Sequence, residues 1–228
     1  MIRIFIFSYA GDAAEATACV RCARMAVPCA SVTVVDDASH PVREETAEVL
    51  RSMGAEYVQS SWERHGNLRG PDCIRGMLSE MCRDAGDDDI LVKVDCDTAL
   101  LDGGWLRWME QRRWCQMYAS GSLVDGEWMI YGCLYALRGR VARRLLRDMD
   151  WENMDALAPE DWTIGRAALA SFPAALARID EPWSQRTPWS SWTAWCWYSL
   201  TASPERYASR FAVVTTGNPR LDTQQASE

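Results

Sequence analysis

Ile90-Leu91-Val92-Lys93-Val94-Asp95-Cys96-Asp97 is an apolar run that ends in an Asp-x-Asp pair. A run this short and rich in β-branched residues, preceded by the turn-forming Gly86-Asp87-Asp88-Asp89, reads as a buried strand. Alternate side chains of an extended backbone share a face, so Asp95 and Asp97 can turn both carboxylates towards one ion. Hard oxygen donors of this kind suit Mg2+ or Mn2+, which bridge phosphate oxygens. An ordinary strand-end turn would use the same residues, and position alone leaves both readings open.

The same grammar runs back to the amino end. Residues 2–7 read as a strand, and Asp12 to Met25 as a helix that Asp12 is placed to cap. Val32–Val35 is β-branched and ends in Asp36-Asp37-Ala38-Ser39. Pro41 opens a helical segment, 55–58 reads as a third strand, and 71–85 as a helix stopped by Gly86. Repeated β-α-β units imply a parallel sheet covered by helices. Beyond Asp97 the pattern changes. Gln116–Val124 and Glu127–Leu137 flank Asp125-Gly126, a hairpin dipeptide that would make the sheet mixed. Segments 140–149 and 160–170 read as helices and 211–215 as a last strand. No linker or repeat interrupts the chain, so residues 1–228 read as one three-layer α/β/α domain.

Composition narrows the function. At 48% hydrophobic and 25% charged the 228 residues are ordinary globular material, and a net charge of −8 argues against nucleic acid as a partner. Nine cysteines cannot pair completely, and Cys19-x-x-Cys22 reads as buried reduced thiols. No apolar run is long enough for a transmembrane segment, and the opening residues do not read as a leader, so the expectation is cytoplasmic.

Ligands of open parallel sheets bind at the carboxyl ends of strands. Three such ends carry polar residues: Ser8-Tyr9-Ala10-Gly11, Asp36-Asp37 and Asp95-Cys96-Asp97. A tyrosine converging with two acidic clusters suggests a polar ligand with a hard cation. The Gly-rich signatures of dinucleotide and P-loop folds are missing.

Six segments, in order, resemble the GT-A glycosyltransferases, especially the large inverting group using nucleotide-diphospho sugars. They are Ile4–Ala10, Val34–Ser39, Arg69–Gly76, Val92–Asp97, Gly132–Arg138 and Pro159–Arg166, reaching to about Ala170. The resemblance implies a nucleotide-binding half (1–100), an acceptor half (101–181) and a Trp-rich segment (182–228). It implies a nucleotide-diphospho-sugar donor, a glycan or other hydroxyl acceptor, and Mn2+ or Mg2+. On this pattern Ser8 and Tyr9 lie against the nucleotide, with Tyr9 stacking on its base. Asp37 accepts a hydrogen bond from a uracil-type imide, and Asp36 shapes that pocket. Arg75 approaches the diphosphate, Asp95 faces the sugar or ribose, and Asp97 reaches the metal. Asp161 becomes the base that deprotonates the acceptor and Glu160 orients it, with Trp162 limiting hydration. Pro159-Glu160-Asp161 is also ordinary first-turn helix chemistry.

The sequence departs from that pattern in places. Its only histidines are His40 and His65, so a late histidine ligand is missing, and Asn218 stands nearest to that role. Gly76 and Ala10 stand where asparagine is usual. Trp183, Trp189, Trp192, Trp195 and Trp197 suit core or homodimer contacts, a sugar-stacking platform, or peripheral membrane contact. Two further functions stay open: a sugar-phosphate nucleotidyltransferase, and a degenerate sugar-nucleotide or glycan-binding protein without turnover.

Overall fold

Ile2, Ile4 and Ile6 join one hydrophobic core and Phe5 and Phe7 the other, so strand β1 (Ile2–Ser8) is buried on both faces. In this computed structural model, which describes residues 1–64, 68–180, 193–195, 204–208 and 211–215, β1 is the hinge of the sheet. It pairs in parallel with β2 (Ser31–Asp36) on one side and with β4 (Ile90–Asp95) on the other. Residues 2–7, 31–35 and 90–94 therefore share one sheet, as their apolar patterns require. β3 (Glu56–Gln59) extends it beyond β2. On the far side of β4 come β7 (Glu127–Arg138, antiparallel), β6 (Met117–Val124) and β8 (Ala177–Asp180), giving the order β3-β2-β1-β4-β7-β6-β8. The sheet is mixed, mostly parallel on its amino-terminal side.

Helices α1 (Ala13–Ala26), α2 (Glu44–Ser52) and α4 (Gly104–Gln111) cover one face. Their buried residues pack on Ile4, Val34, Val92 and Leu134. Helices α3 (Pro71–Cys82), α5 (Gly139–Asp148) and α6 (Glu160–Ser171) cover the other, on Phe5, Phe7, Leu91 and Tyr135. A small second sheet, β5 (Thr98–Leu100), β10 (Val213–Thr215) and β9 (Thr193–Trp195), follows directly on the acidic end of β4. The sequence reading lacks β5, α4 and β8. Most of the Trp-rich segment, with Trp183, Trp189, Trp192 and Trp197, lies outside the described residues, as do His65 and Asn218.

Asp125 (φ 50°) and Gly126 (φ 83°) both adopt left-handed backbone, as the primed turn between β6 and β7 demands. No neighbour crowds a methyl group added at Gly126. Gly126→Ala should therefore cost about 1 kcal/mol through the backbone alone, read as a lowered urea midpoint at unchanged slope. An unchanged midpoint would show that the turn relaxes to another type.

From β1 the chain runs outward to β2 and β3, then crosses back to β4 on the opposite side of β1. The switch opens a crevice above the carboxyl ends of β1 and β4, where parallel sheets bind ligands. The register sets Ser8 beside Asp36 and Phe7 beside Asp95.

Candidate functional site

A cavity of about 430 Å³ occupies this crevice. Tyr9 and Asp12 line it after β1, Arg64 and Arg69 from the β3–α3 connection, and Lys93, Asp95, Cys96 and Asp97 from the end of β4. Gly132 and Cys133 of β7, Glu160 and Asp161 of α6 and Thr215 of β10 complete much of the wall. The two acidic motifs that the sequence separates by about sixty residues thus face one space.

Below the rim, Asp36 and Asp37 hold the loops. Asp36 accepts hydrogen bonds from the Ser8 hydroxyl (2.9 Å), the Val42 N–H (2.7 Å) and the Tyr57 hydroxyl (2.5 Å). Asp37 accepts from the backbone N–H groups of Ser39 (2.9 Å), His40 (2.8 Å) and Arg64 (2.6 Å). Burial alone would raise the Asp37 carboxyl, but those three donors outweigh it and hold the group below its usual range. Neither aspartate lines the cavity, and neither does Ser8. Their hydrogen bonds here are those of a scaffold that fixes the loops after β1 and β2.

Arg75 also stands elsewhere. It is exposed on α3, beside a small hollow with Trp62 and Asp72, and does not reach the cavity. Gly76 next to it is explained by packing. A Cβ there would lie 2.2 Å from the Trp62 ring, so no asparagine fits. Arg64, which no sequence pattern singles out, does line the crevice, together with Arg69. Its guanidinium donates to the Phe7 carbonyl (3.1 Å) and to Asp12 Oδ2 (3.1 Å), and stands 5.0 Å from the centre of the Tyr9 ring. The Cys96 thiol donates to the same Asp12 oxygen at 2.6 Å. Asp12 makes no side-chain cap on α1. Its carboxylate is spent on Arg64 and Cys96, contrary to the capping role that its position suggested.

Lys93 is the second cation that was missed. Its side chain is 1% exposed, donates to Asp95 Oδ1 at 2.6 Å and to the Gly132 carbonyl, and stands 3.4 Å from Glu160 Oε2. Burial pulls its ammonium towards neutrality, but Asp95 and Glu160 reverse that and keep it charged. Glu160, equally buried, also accepts from the Tyr135 hydroxyl. Burial pushes its carboxyl up to about 7 despite Lys93. The signal for Lys93 was visible: a lysine inside an apolar strand, two residues before a carboxylate, shares a face with it.

Asp161 is half-buried in the cavity wall and accepts the N–H of Trp162 at 2.8 Å. Gly132 makes room for this turn, since a Cβ there would meet Asp161 Cβ at 3.1 Å and Glu160 Oε2 at 3.2 Å. Trp162 does not shield Asp161 as expected. It is 47% exposed, lies under Arg166, and lines a separate groove between α5 and α6. Asp95 and Asp97 are two carboxylates on one wall. Among the described residues no group of three or more His, Cys, Asp or Glu side chains is placed to hold a metal ion. Two carboxylates would leave most of the shell of a Mg2+ or Mn2+ ion to phosphate and water oxygens.

No sequence-family model matches the chain, and no curated protein matches its sequence. Solved structures do resemble it. The galactosyltransferase LgtC, in complex with donor and acceptor sugar analogues, superposes with a TM-score of 0.58 at 15% identity, over 95% of this chain and 87% of its own. The bifunctional glycosyltransferase WbbM gives a TM-score of 0.55 at 11% identity, over 95% of this chain and 46% of its own. What this chain shares with them is architecture: it has the GT-A, nucleotide-diphospho-sugar-transferase-like fold.

Proposed function

We propose that the chain is a glycosyltransferase that moves a sugar from a nucleotide-diphosphate donor to a hydroxyl acceptor, with inversion and with the help of Mn2+ or Mg2+. One observation carries this reading. Asp95 at the end of β4, Asp97 in the turn that follows it, and Asp161 at the start of α6 face a single cavity at the switch point of the sheet. Tyr9 offers an exposed ring for a nucleobase, and Arg64 a fixed guanidinium suited to diphosphate oxygens. Asp97 and the oxygen of Asp95 not held by Lys93 would hold the metal. When bound, it neutralises charge on the departing diphosphate. Asp161 takes the proton of the attacking hydroxyl, and the wall formed by Glu160, Lys93 and Tyr135 keeps water from its rear.

Donor turnover tests the reading. Incubation with manganese and uridine, guanosine and thymidine diphospho-sugars should release nucleoside diphosphate, with the product anomer inverted by NMR. Pyrophosphate release from a nucleoside triphosphate and a sugar phosphate would instead support a nucleotidyltransferase, and binding without turnover a sugar-nucleotide-binding module. Asp97→Asn keeps the shape of the site and removes the charge facing the metal. It should weaken manganese-supported diphosphate binding about tenfold or more, or about 1.4 kcal/mol, by calorimetry. Full metal-dependent affinity in that variant would reject Asp97 as a ligand.

A further inference from the structure

Lys93 belongs to neither acidic motif, yet it touches both. Three groups from three elements converge on its ammonium: Asp95 of β4 at 2.6 Å, the carbonyl of Gly132 in β7, and Glu160 of α6 at 3.4 Å. The side chain points into the layer that holds Phe5, Phe7, Leu91 and Tyr135, where a charge persists only if fully partnered. Its partners are not interchangeable surface groups. Asp95 stands on the side of the proposed donor and metal, while Glu160 is bonded in sequence to Asp161, on the side of the proposed acceptor.

We propose that Lys93 is a positioning residue that fixes the first turn of α6 against the end of β4, so setting Asp161 relative to the sugar-bearing side of the cavity. The proposal rests on the transferase reading for its catalytic consequence, but not for its geometry. β7 and the β3–α3 connection hold the same turn, through the Tyr135 hydroxyl on Glu160 Oε1 and the Leu68 carbonyl, which accepts the Glu160 N–H at 3.1 Å; Lys93 adds the tie to the end of β4. Gly132 presents no side chain, and its Cβ position is already in tight contact with Glu160 and Asp161. Among the described residues the buried ammonium faces both Asp95 at the strand end and Glu160 at the helix start.

A purely structural lysine would matter only as the counter-charge of a buried carboxylate, and two substitutions separate the roles. At pH 8, where Glu160 has lost its proton, Lys93→Met alone leaves it buried beside no cation and should lower the thermal midpoint. Lys93→Met with Glu160→Gln removes both charges, and most of that loss should return. Turnover should not return with it. A displacement of about 1 Å at a reacting group costs about 100-fold, so kcat of the double variant should stay about that far below Glu160→Gln alone. The donor KM should move much less. Recovery of kcat together with the midpoint would overturn the proposal. The crystal structure of the double variant decides the geometry whatever the wild-type turnover. An α6 start displaced from β4 by more than about 0.5 Å, the tolerance of a catalytic constellation, supports it, and an unmoved helix overturns it. Absence of turnover in the wild type with every donor would instead count against the transferase reading.

Discussion

Asp161→Asn is expected to lower kcat by about 10²–10⁴-fold with an acceptor that the wild type uses, while donor affinity stays nearly unchanged. The substitution keeps the size of the side chain and its hydrogen bond from the Trp162 N–H, so the helix start should stay in place. What it removes is the ability to take a proton. Asp161 is the carboxylate of the acidic turn that combines access to the cavity with oxygen capacity to spare. Glu160, by contrast, is 3% exposed, with one oxygen facing the Tyr135 hydroxyl and the other facing Lys93. A first-turn aspartate with no catalytic part would contribute only its favourable placement at the helix dipole, about 0.3–1 kcal/mol. Nearly equal kcat in the two proteins, with a fall of that size in stability, would therefore remove Asp161 from the mechanism.

What the sequence disclosed and what it hid divide along a physical line. β1, β2 and β4 were legible because short apolar, β-branched runs are a local signal, and the hairpin because Asp125-Gly126 satisfies a backbone demand two residues long. The acidic strand end was legible for the same reason. Arg64 was not. Its importance comes from Asp37 seizing its backbone N–H and Asp12 its guanidinium, contacts spanning 27 and 52 residues that no local pattern announces. Arg75 looked right because it follows a Gly-Pro helix start, yet the turn of α3 sends it to the outside. α4 buries Trp105, Leu106 and Met109, but it spans only eight residues and opens on Gly103-Gly104 with no capping side chain, so its local signal is faint. β8 has four residues, two of them charged, and draws its strand character from pairing with β6. Its Asp180 is anchored there by the Tyr118 hydroxyl at 2.7 Å.

The buried acidic residue should also leave a signature on stability. Glu160 loses its proton near 4.5 in the unfolded chain and near 7 in the folded protein, because burial dominates. Lys93 is the largest opposing influence but does not cancel burial, its shorter bond going to Asp95 while Glu160 stands off at 3.4 Å. Asp95 of β4 and Asp161 beside it add to the rise by like charge, and of the remaining neighbours, Tyr135 of β7 and Cys73 of α3, burial holds the hydroxyl and the thiol in their neutral forms. A raised acid favours folding while it keeps its proton. Its contribution is therefore complete below about pH 4.5 and is lost as pH climbs through about 7, amounting to a few kcal/mol. Glu160→Gln cannot ionise and should lack this loss. Unfolding free energies from urea titrations between pH 4.5 and 8 should show the wild type falling relative to Glu160→Gln as pH rises. A difference that stays flat, or that turns in favour of the wild type at high pH, would mean that Lys93 keeps Glu160 ionised throughout, with the ion pair outweighing the cost of burial.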